Sequence, residues 1–146
     1  MSKTCILCHI VFGTKRREGT IELEKRRELY AYLHGIIQNR KCITLRIGGI
    51  EDHIHLLVDL HPSVALADLV KALKQGSSKW LKDNWLLPNF GGWGSGYFAA
   101  SVGIEGKEAC VNYIKNQEEH HKRRSYVEEL QDSVRHHGLE WFDTEW

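Results

Sequence analysis

The alternation of apolar and polar positions divides the chain into eight elements. Residues 4–12 are apolar and rich in β-formers, which predicts a buried strand. Within residues 21–39, Leu29, Tyr30, Leu33, Ile36 and Ile37 recur at helical spacing. Ile43, Leu45 and Ile47 alternate and stop at Gly48-Gly49, a second strand, and residues 53–60 predict a third. Pro62-Ser63 then opens a predicted helix to about residue 85, with Ser63 as its cap and Leu66, Leu69, Val70, Leu73, Trp80 and Leu81 on its apolar face. After a glycine-rich loop at residues 89–96, a fourth strand is expected over residues 97–102. A helix is expected from about 107 to 124, and a shorter one over 126–136 closed by Gly138.

The order strand, helix, strand, strand, helix, strand predicts an α+β fold. This is the ferredoxin-like, RRM-like split βαβ arrangement, a four-stranded antiparallel sheet with helices on one face. The other sheet face then needs a cover: a partner, a substrate, or the last helix.

Composition narrows the picture. At 146 residues the chain has the length of one domain, read as a core over about residues 4–125 and a helical tail over about 126–146. No apolar run reaches the 18 or so residues of a membrane helix, and no secretory signal precedes the first strand, so the expected location is cytoplasmic and the four cysteines are expected reduced. A net charge of +1 argues only weakly for a nucleic-acid partner, yet the basic triplets Lys15-Arg16-Arg17 and Lys122-Arg123-Arg124 form local positive patches.

Two stretches carry candidate chemistry. In Asp52-His53-Ile54-His55-Leu56-Leu57-Val58, strand alternation sends Ile54, Leu56 and Val58 to the core and His53 and His55 together to the opposite face. Two imidazoles so spaced can grip one metal ion, although a bare His-x-His also fits two ordinary surface histidines. In Val111-Asn112-Tyr113-Ile114-Lys115-Asn116-Gln117, Tyr113 and Gln117 are i and i+4, one above the other on a helix. A neutral amide oxygen and a phenol on one face offer a ligand and a nucleophile. Other signals weigh less. Cys5-Ile6-Leu7-Cys8-His9 matches a haem-attachment pattern but lies in a strand-like run, where Cys5 and Cys8 would face opposite ways. His120-His121 and His136-His137 read as exposed helix pairs, and Gly91-Gly92-Trp93-Gly94-Ser95-Gly96 lacks the Lys-Ser/Thr of a nucleotide loop.

The triplet His53-Ile54-His55 followed by Tyr113-Ile114-Lys115-Asn116-Gln117 resembles the single-tyrosine HUH transposases of bacterial insertion sequences, of the IS-two-hundred type. The resemblance extends to residues 9–17 (first strand and basic loop), 74–78 (second helix) and 93–98 (entry to the fourth strand), together spanning about residues 4–125. Where that family often carries Ser-Pro ahead of the fourth strand, this chain has Gly94-Ser95-Gly96.

The resemblance implies insertion-sequence transposition by metal-dependent cleavage and rejoining of single-stranded DNA. Tyr113 would be the nucleophile and His53, His55 and Gln117 the ligands of magnesium or manganese. It also implies DNA with hairpin ends and a homodimer whose active sites are shared between subunits. Lys15, Arg16, Arg17, Lys74, Lys79 and Lys122 are the candidate phosphate contacts, and Trp93 and Tyr97 the candidate base-stacking aromatics. A related nicking enzyme, either a replication initiator or a domesticated transposase, would share this site. A non-catalytic single-strand binding module would leave the Tyr113–Gln117 spacing without a purpose.

Overall fold

In the computed structural model, which describes residues 2–141, the strands are β1 (Leu7–Gly13), β2 (Ile43–Gly49), β3 (His53–Asp59) and β4 (Phe98–Ser101). The helices are α1 (Leu23–Asn39), α2 (Leu66–Asp83), α3 (Lys107–Lys115), α4 (Gln117–His120) and α5 (Tyr126–His136). The sheet runs β2-β3-β1-β4 with each neighbouring pair antiparallel, the topology expected of the split βαβ pattern. The last five residues of the expected tail lie outside the described residues. None of the described helices is long and apolar enough to cross a membrane.

One sheet face is the main core. Ile10 and Phe12 of β1 and Ile54, Leu56 and Val58 of β3 meet Leu29, Leu33 and Ile37 of α1 and Leu69, Val70 and Leu73 of α2. The i, i+4, i+8 spacing in α1 makes a single apolar stripe, and burying each such side chain stabilises the fold by roughly 1.5–3 kcal/mol.

The opposite face is covered by the chain's own C-terminal helices. Leu7 and Leu57 pack on Ile114 of α3, while Val11 and Phe98 pack on Tyr126, Leu130 and Val134 of α5. Between these two apolar patches runs a polar stripe made by His9, His53 and His55.

Several boundaries differ from expectation. Ser63 does not cap α2; its backbone N–H and hydroxyl both meet Nδ1 of His61, at 3.1 and 2.7 Å, and the helix begins three residues later, at Leu66. The side chain closes a local turn and so competes with the helical start. The helix expected over residues 107–124 breaks at Asn116, whose backbone (φ −97°, ψ 20°) leaves the helical region, and resumes only as the four-residue α4, which ends at His120. Asparagine is a weak helix former, because its side chain can compete for nearby backbone groups. Cys5 precedes β1 and is exposed. Gly138, as expected, follows α5 in the left-handed region (φ +72°), its N–H bonded to the Arg135 carbonyl.

Candidate active site

β3 sends His53 and His55 to the second face because its apolar residues at 54, 56 and 58 belong to the first. Register then decides what stands beside them. Gly13 of β1 lies opposite His53, and Gly48 of β2 lies opposite His55. A methyl group on Gly13 would sit 2.5 Å from the Tyr126 ring, and one on Gly48 would sit 2.6 Å from the Ile114 carbonyl oxygen. The two glycines thus let α5 and α3 close directly over the histidines. Tyr126 uses this room to stack on His53, with ring centroids 4.1 Å apart and planes 7° from parallel.

Each histidine is held from behind. His53 Nδ1 meets Asp52 Oδ1 at 2.7 Å, and His55 Nδ1 meets His9 Nε2 at 2.8 Å. Both Nε2 atoms therefore face the helices. The break at Asn116 turns Gln117 into the sheet, where its Oε1 lies 3.1 Å from His53 Nε2 and 2.9 Å from His121 Nε2.

The centre of the cluster is Glu129 of α5, almost wholly buried. Its Oε1 lies 2.9 Å from His55 Nε2 and 3.4 Å from His53 Nε2. Its Oε2 accepts from the Tyr113 hydroxyl and lies 2.9 Å from His120 Nε2 and 3.3 Å from His121 Nε2.

Protonation follows these contacts. Burial alone would raise the Glu129 carboxyl, but hydrogen bonds from His121, His53 and His55 hold it well below the usual carboxylate range. Burial pushes His55 down to about 3 and His9 down to about 4, so both rings are neutral at pH 7. Burial also opposes charge on His53, yet Asp52 and Glu129 outweigh it and raise its pKa. The Tyr113 phenol is pushed above its ordinary value by burial and then by the Glu129 charge beside it.

The residues marked in the sequence thus separate into groups. His53, His55, Gln117 and Tyr113 meet in one place, within a single chain. Tyr113 also opens to a cleft of about 500 Å³ lined by Asn112, Asn116, His120, Arg123 and Arg124.

On another part of the surface, Lys15, Arg16, Lys74, Lys79 and Trp93 line a groove of about 840 Å³ between α2 and the glycine-rich loop. Lys82 joins them there. Inside this groove two candidates have structural duties. Lys74 Nζ donates to the carbonyls of Gly94 and Gly96, at 2.7 and 2.9 Å, and so fastens the loop to α2. The Trp93 ring packs edge-on against Phe12 and Phe90, with its Nε1 donating to Ser77 Oγ at 2.9 Å. Lys79 pairs with Asp83 and Lys122 with Glu119. Tyr97 is partly exposed, and Lys122 lies away from the groove, in the turn between α4 and α5. Arg16 and Arg17 both adopt φ of 58°, unusual for side-chain-bearing residues, which turns the basic loop sharply at the groove's edge.

Sequence reasoning missed Glu129, His121, His9 and Asp52. The pair His120-His121, expected to be exposed, is corrected: the His121 side chain is 3% exposed and sits in the cluster, because the turn after α4 folds it back under α5. One signal was present for Glu129. Tyr126, Glu129, Leu130 and Val134 form the buried stripe of α5, and a carboxylate inside an apolar stripe needs partners.

A split βαβ sheet carrying a His-x-His pair beneath a tyrosine helix defines a class, and residues 2–117 match the family described as "Transposase IS200 like". The chain belongs to that family of transposases, enzymes that act on DNA. It is 29% identical over 119 residues to the transposase of insertion sequence element IS200 from Salmonella typhimurium, covering 78% of each chain, and equally similar to the Salmonella typhi protein of the same name. Among solved structures, it resembles a putative transposase from Deinococcus radiodurans (25% identity, TM-score 0.64, covering 80% of this chain and 93% of that one). It also shares the fold of a REP-associated tyrosine transposase bound to a REP hairpin (14% identity, TM-score 0.62, covering all of this chain and 91% of that one).

Proposed function

We propose that this transposase cuts and rejoins single-stranded DNA through Tyr113, in the cytoplasm, to move an insertion sequence. The observation that carries the reading is the meeting of the Tyr113 hydroxyl, two imidazole Nε2 atoms and the Gln117 amide around one buried point. A packed surface tyrosine would have no reason to share that point.

In the proposed step the Tyr113 oxygen, positioned by the Glu129 Oε2 that it contacts, attacks a backbone phosphorus, and its proton passes to solvent as the bond forms. An oxygen–phosphorus bond to tyrosine forms as the bond to the 3′ oxygen breaks. The 3′ oxygen leaves as a hydroxyl, taking a proton from solvent, and the 5′-phosphate stays on Tyr113. Attack by another 3′-hydroxyl reverses the exchange and joins new ends. One ester replaces another, so no nucleotide triphosphate is consumed.

The residues present fit a divalent ion. Asp52 accepts from His53 Nδ1, which directs Nε2 toward Gln117 Oε1 and Glu129 Oε1, and an ion entering there would displace the Nε2 proton. Nitrogen and oxygen atoms 2.9–3.4 Å apart are spaced as the ligands of one ion are. His53, His55 and Gln117 would hold it, and a bound divalent ion would neutralise a non-bridging phosphate oxygen. Two imidazole donors suit manganese better than magnesium, which prefers oxygen.

For DNA, the cleft beside Tyr113 with Arg123 and Arg124 is assigned to the strand being cut. The groove with Lys15, Arg16 and Lys79 is assigned to the phosphates of a flanking hairpin. Arg17, Lys122 and Tyr97 are the outlying contacts of this assignment.

Homodimerisation with shared sites is the second part of the reading. The helices α3 to α5 would then pass to the partner together, turning at residues 102–106.

Nicking of single-stranded DNA from the gene's own flanks tests both parts. Cleavage is expected with manganese at least as fast as with magnesium, and chelator-resistant cleavage contradicts the metal assignment. Mixed His53→Ala/His55→Ala and Tyr113→Phe subunits should regain cleavage if sites are shared, and a dead mixture means that each chain works alone.

A further inference from the structure

We infer that the ion in this site has two further protein ligands, Glu129 and His121, and that α5 is a metal-anchored part of the catalytic centre. The inference rests on the metal reading above and extends it: His53, His55, His121 and Glu129 form a set of four donors, with the neutral Gln117 oxygen beside them as a weaker contact.

The first observation is geometric. His53, His55, His121 and Glu129 each bring one ligand atom into a group in which all four lie within 4.8 Å of one another. Several of these separations are shorter: Glu129 Oε1 lies 2.9 Å from His55 Nε2 and 3.4 Å from His53 Nε2, and Oε2 lies 3.3 Å from His121 Nε2. Donors about 2.1 Å from a tetrahedral ion are separated by roughly 3.4 Å, so the cluster is already close to ligand spacing.

The second observation concerns the orientation of the rings. His121 Nδ1 lies 2.6 Å from the Arg124 carbonyl oxygen, which can only accept. That contact fixes the ring so that Nε2 faces Gln117 Oε1 and Glu129 Oε2. His53 shows the same pattern with Asp52 behind it. A ligating histidine usually gives its other N–H to a carboxylate or a backbone carbonyl, and these two do so with one of each.

The third observation is the cost of the arrangement without an ion. Glu129 is 4% exposed, and among the described residues no lysine or arginine is paired with it; its neighbours are imidazoles, an amide and a phenol. A buried carboxylate needs a compensating positive charge, from a protonated imidazole or from an ion. One divalent ion supplies it and satisfies the four converging donors together.

The two carboxylate oxygens would then divide their work. Oε1 faces His53 and His55 and binds the ion, while Oε2 keeps the Tyr113 hydroxyl. Three imidazoles and one carboxylate define a site for a first-row transition ion such as manganese, cobalt or zinc, rather than magnesium. Because Glu129 and His121 flank the turn before α5 and its first turns, the ion would also fasten the C-terminal helix to the sheet.

The test is metal titration of the chelator-stripped full chain, with no DNA present. Calorimetry with Mn2+ should give one site per chain, weakened by at least ~10-fold in both Glu129→Gln and His121→Ala. An unchanged affinity in either variant removes that residue from the ligand set and overturns the four-donor site. If affinity is lost only in His53→Ala/His55→Ala, the simpler ligand set stands and this inference falls. If that double variant also binds normally, both readings fall.

The wild-type chain gives a measurement that needs no variant. Co2+ bound to four protein donors should show the intense visible absorption of a low-coordinate ion, whereas a weak six-coordinate spectrum overturns the assignment. Loaded protein should also protect the α5 amides from hydrogen exchange, and protection equal to that of the stripped protein contradicts an anchored helix.

Discussion

The two faces of the sheet are built from the same strands and by opposite rules. On the α1–α2 face, every inward position of β1 and β3 is apolar, and the contacts are dispersive and non-directional. On the α3–α5 face, the alternate positions of the same strands bring His9, His53 and His55, with apolar patches only at either end. One face supplies stability and the other spends it on buried polar groups. A rigid apolar layer behind β3 is what lets His53 and His55 keep a fixed spacing for chemistry.

This contrast can be broken from either side. The largest effect on stability is expected from the core face: Leu56→Ala should cost about 2–5 kcal/mol of unfolding free energy, seen as a lower denaturant midpoint for the whole chain. A loss confined to the C-terminal helices would contradict the division between faces.

A smaller and more local effect is expected on the other side. Gly13→Ala drives a methyl group toward the Tyr126 ring and should cost about 1–3 kcal/mol, with faster hydrogen exchange concentrated in α5. Exchange that rises equally in α1 and α2 would show that the two faces are not separable.

A graded effect, spread over several pH units rather than set by one substitution, comes from acid. His9 and His55 are held below their ordinary pKa by burial, down to about 4 and about 3. The unfolded chain therefore binds more protons than the folded one below about pH 6.5. Stability is full above that value and falls as pH drops toward 4, by about 1.4 kcal/mol per pH unit for each histidine involved. His53, whose pKa is raised, works in the opposite sense and in another window, its contribution fading as pH rises above about 6.5 through the folded value. Thermal unfolding in chelator from pH 6.5 to 4 measures the first effect, and a melting temperature that rises on acidification over that range would contradict it.

The comparison also explains what could be read from the chain beforehand. The core face announced itself through period-two and period-3.6 apolar spacing, and the same alternation in β3 sent His53 and His55 to the other side. Tyr113 and Gln117 were legible because their spacing is local. Glu129 and His121 were not, since they meet the histidines only through the break at Asn116 and the turn before α5, which no short-range pattern encodes. His9 and Asp52 lay beside marked residues, but their duty depends on ring orientation rather than on order along the chain. Among the basic candidates, charge revealed the groove, whereas the capture of Lys74 by two loop carbonyls is a tertiary event.

The most direct measurement is to map the protein–DNA bond itself. After incubation with single-stranded DNA from the gene's flanks and Mn2+, protease digestion and mass spectrometry should find a 5′-phosphorylated oligonucleotide on the peptide containing Tyr113. The adduct should fall by at least ~10³-fold in Tyr113→Phe. An adduct on the peptide containing Tyr126, or one undiminished in Tyr113→Phe, would contradict the account.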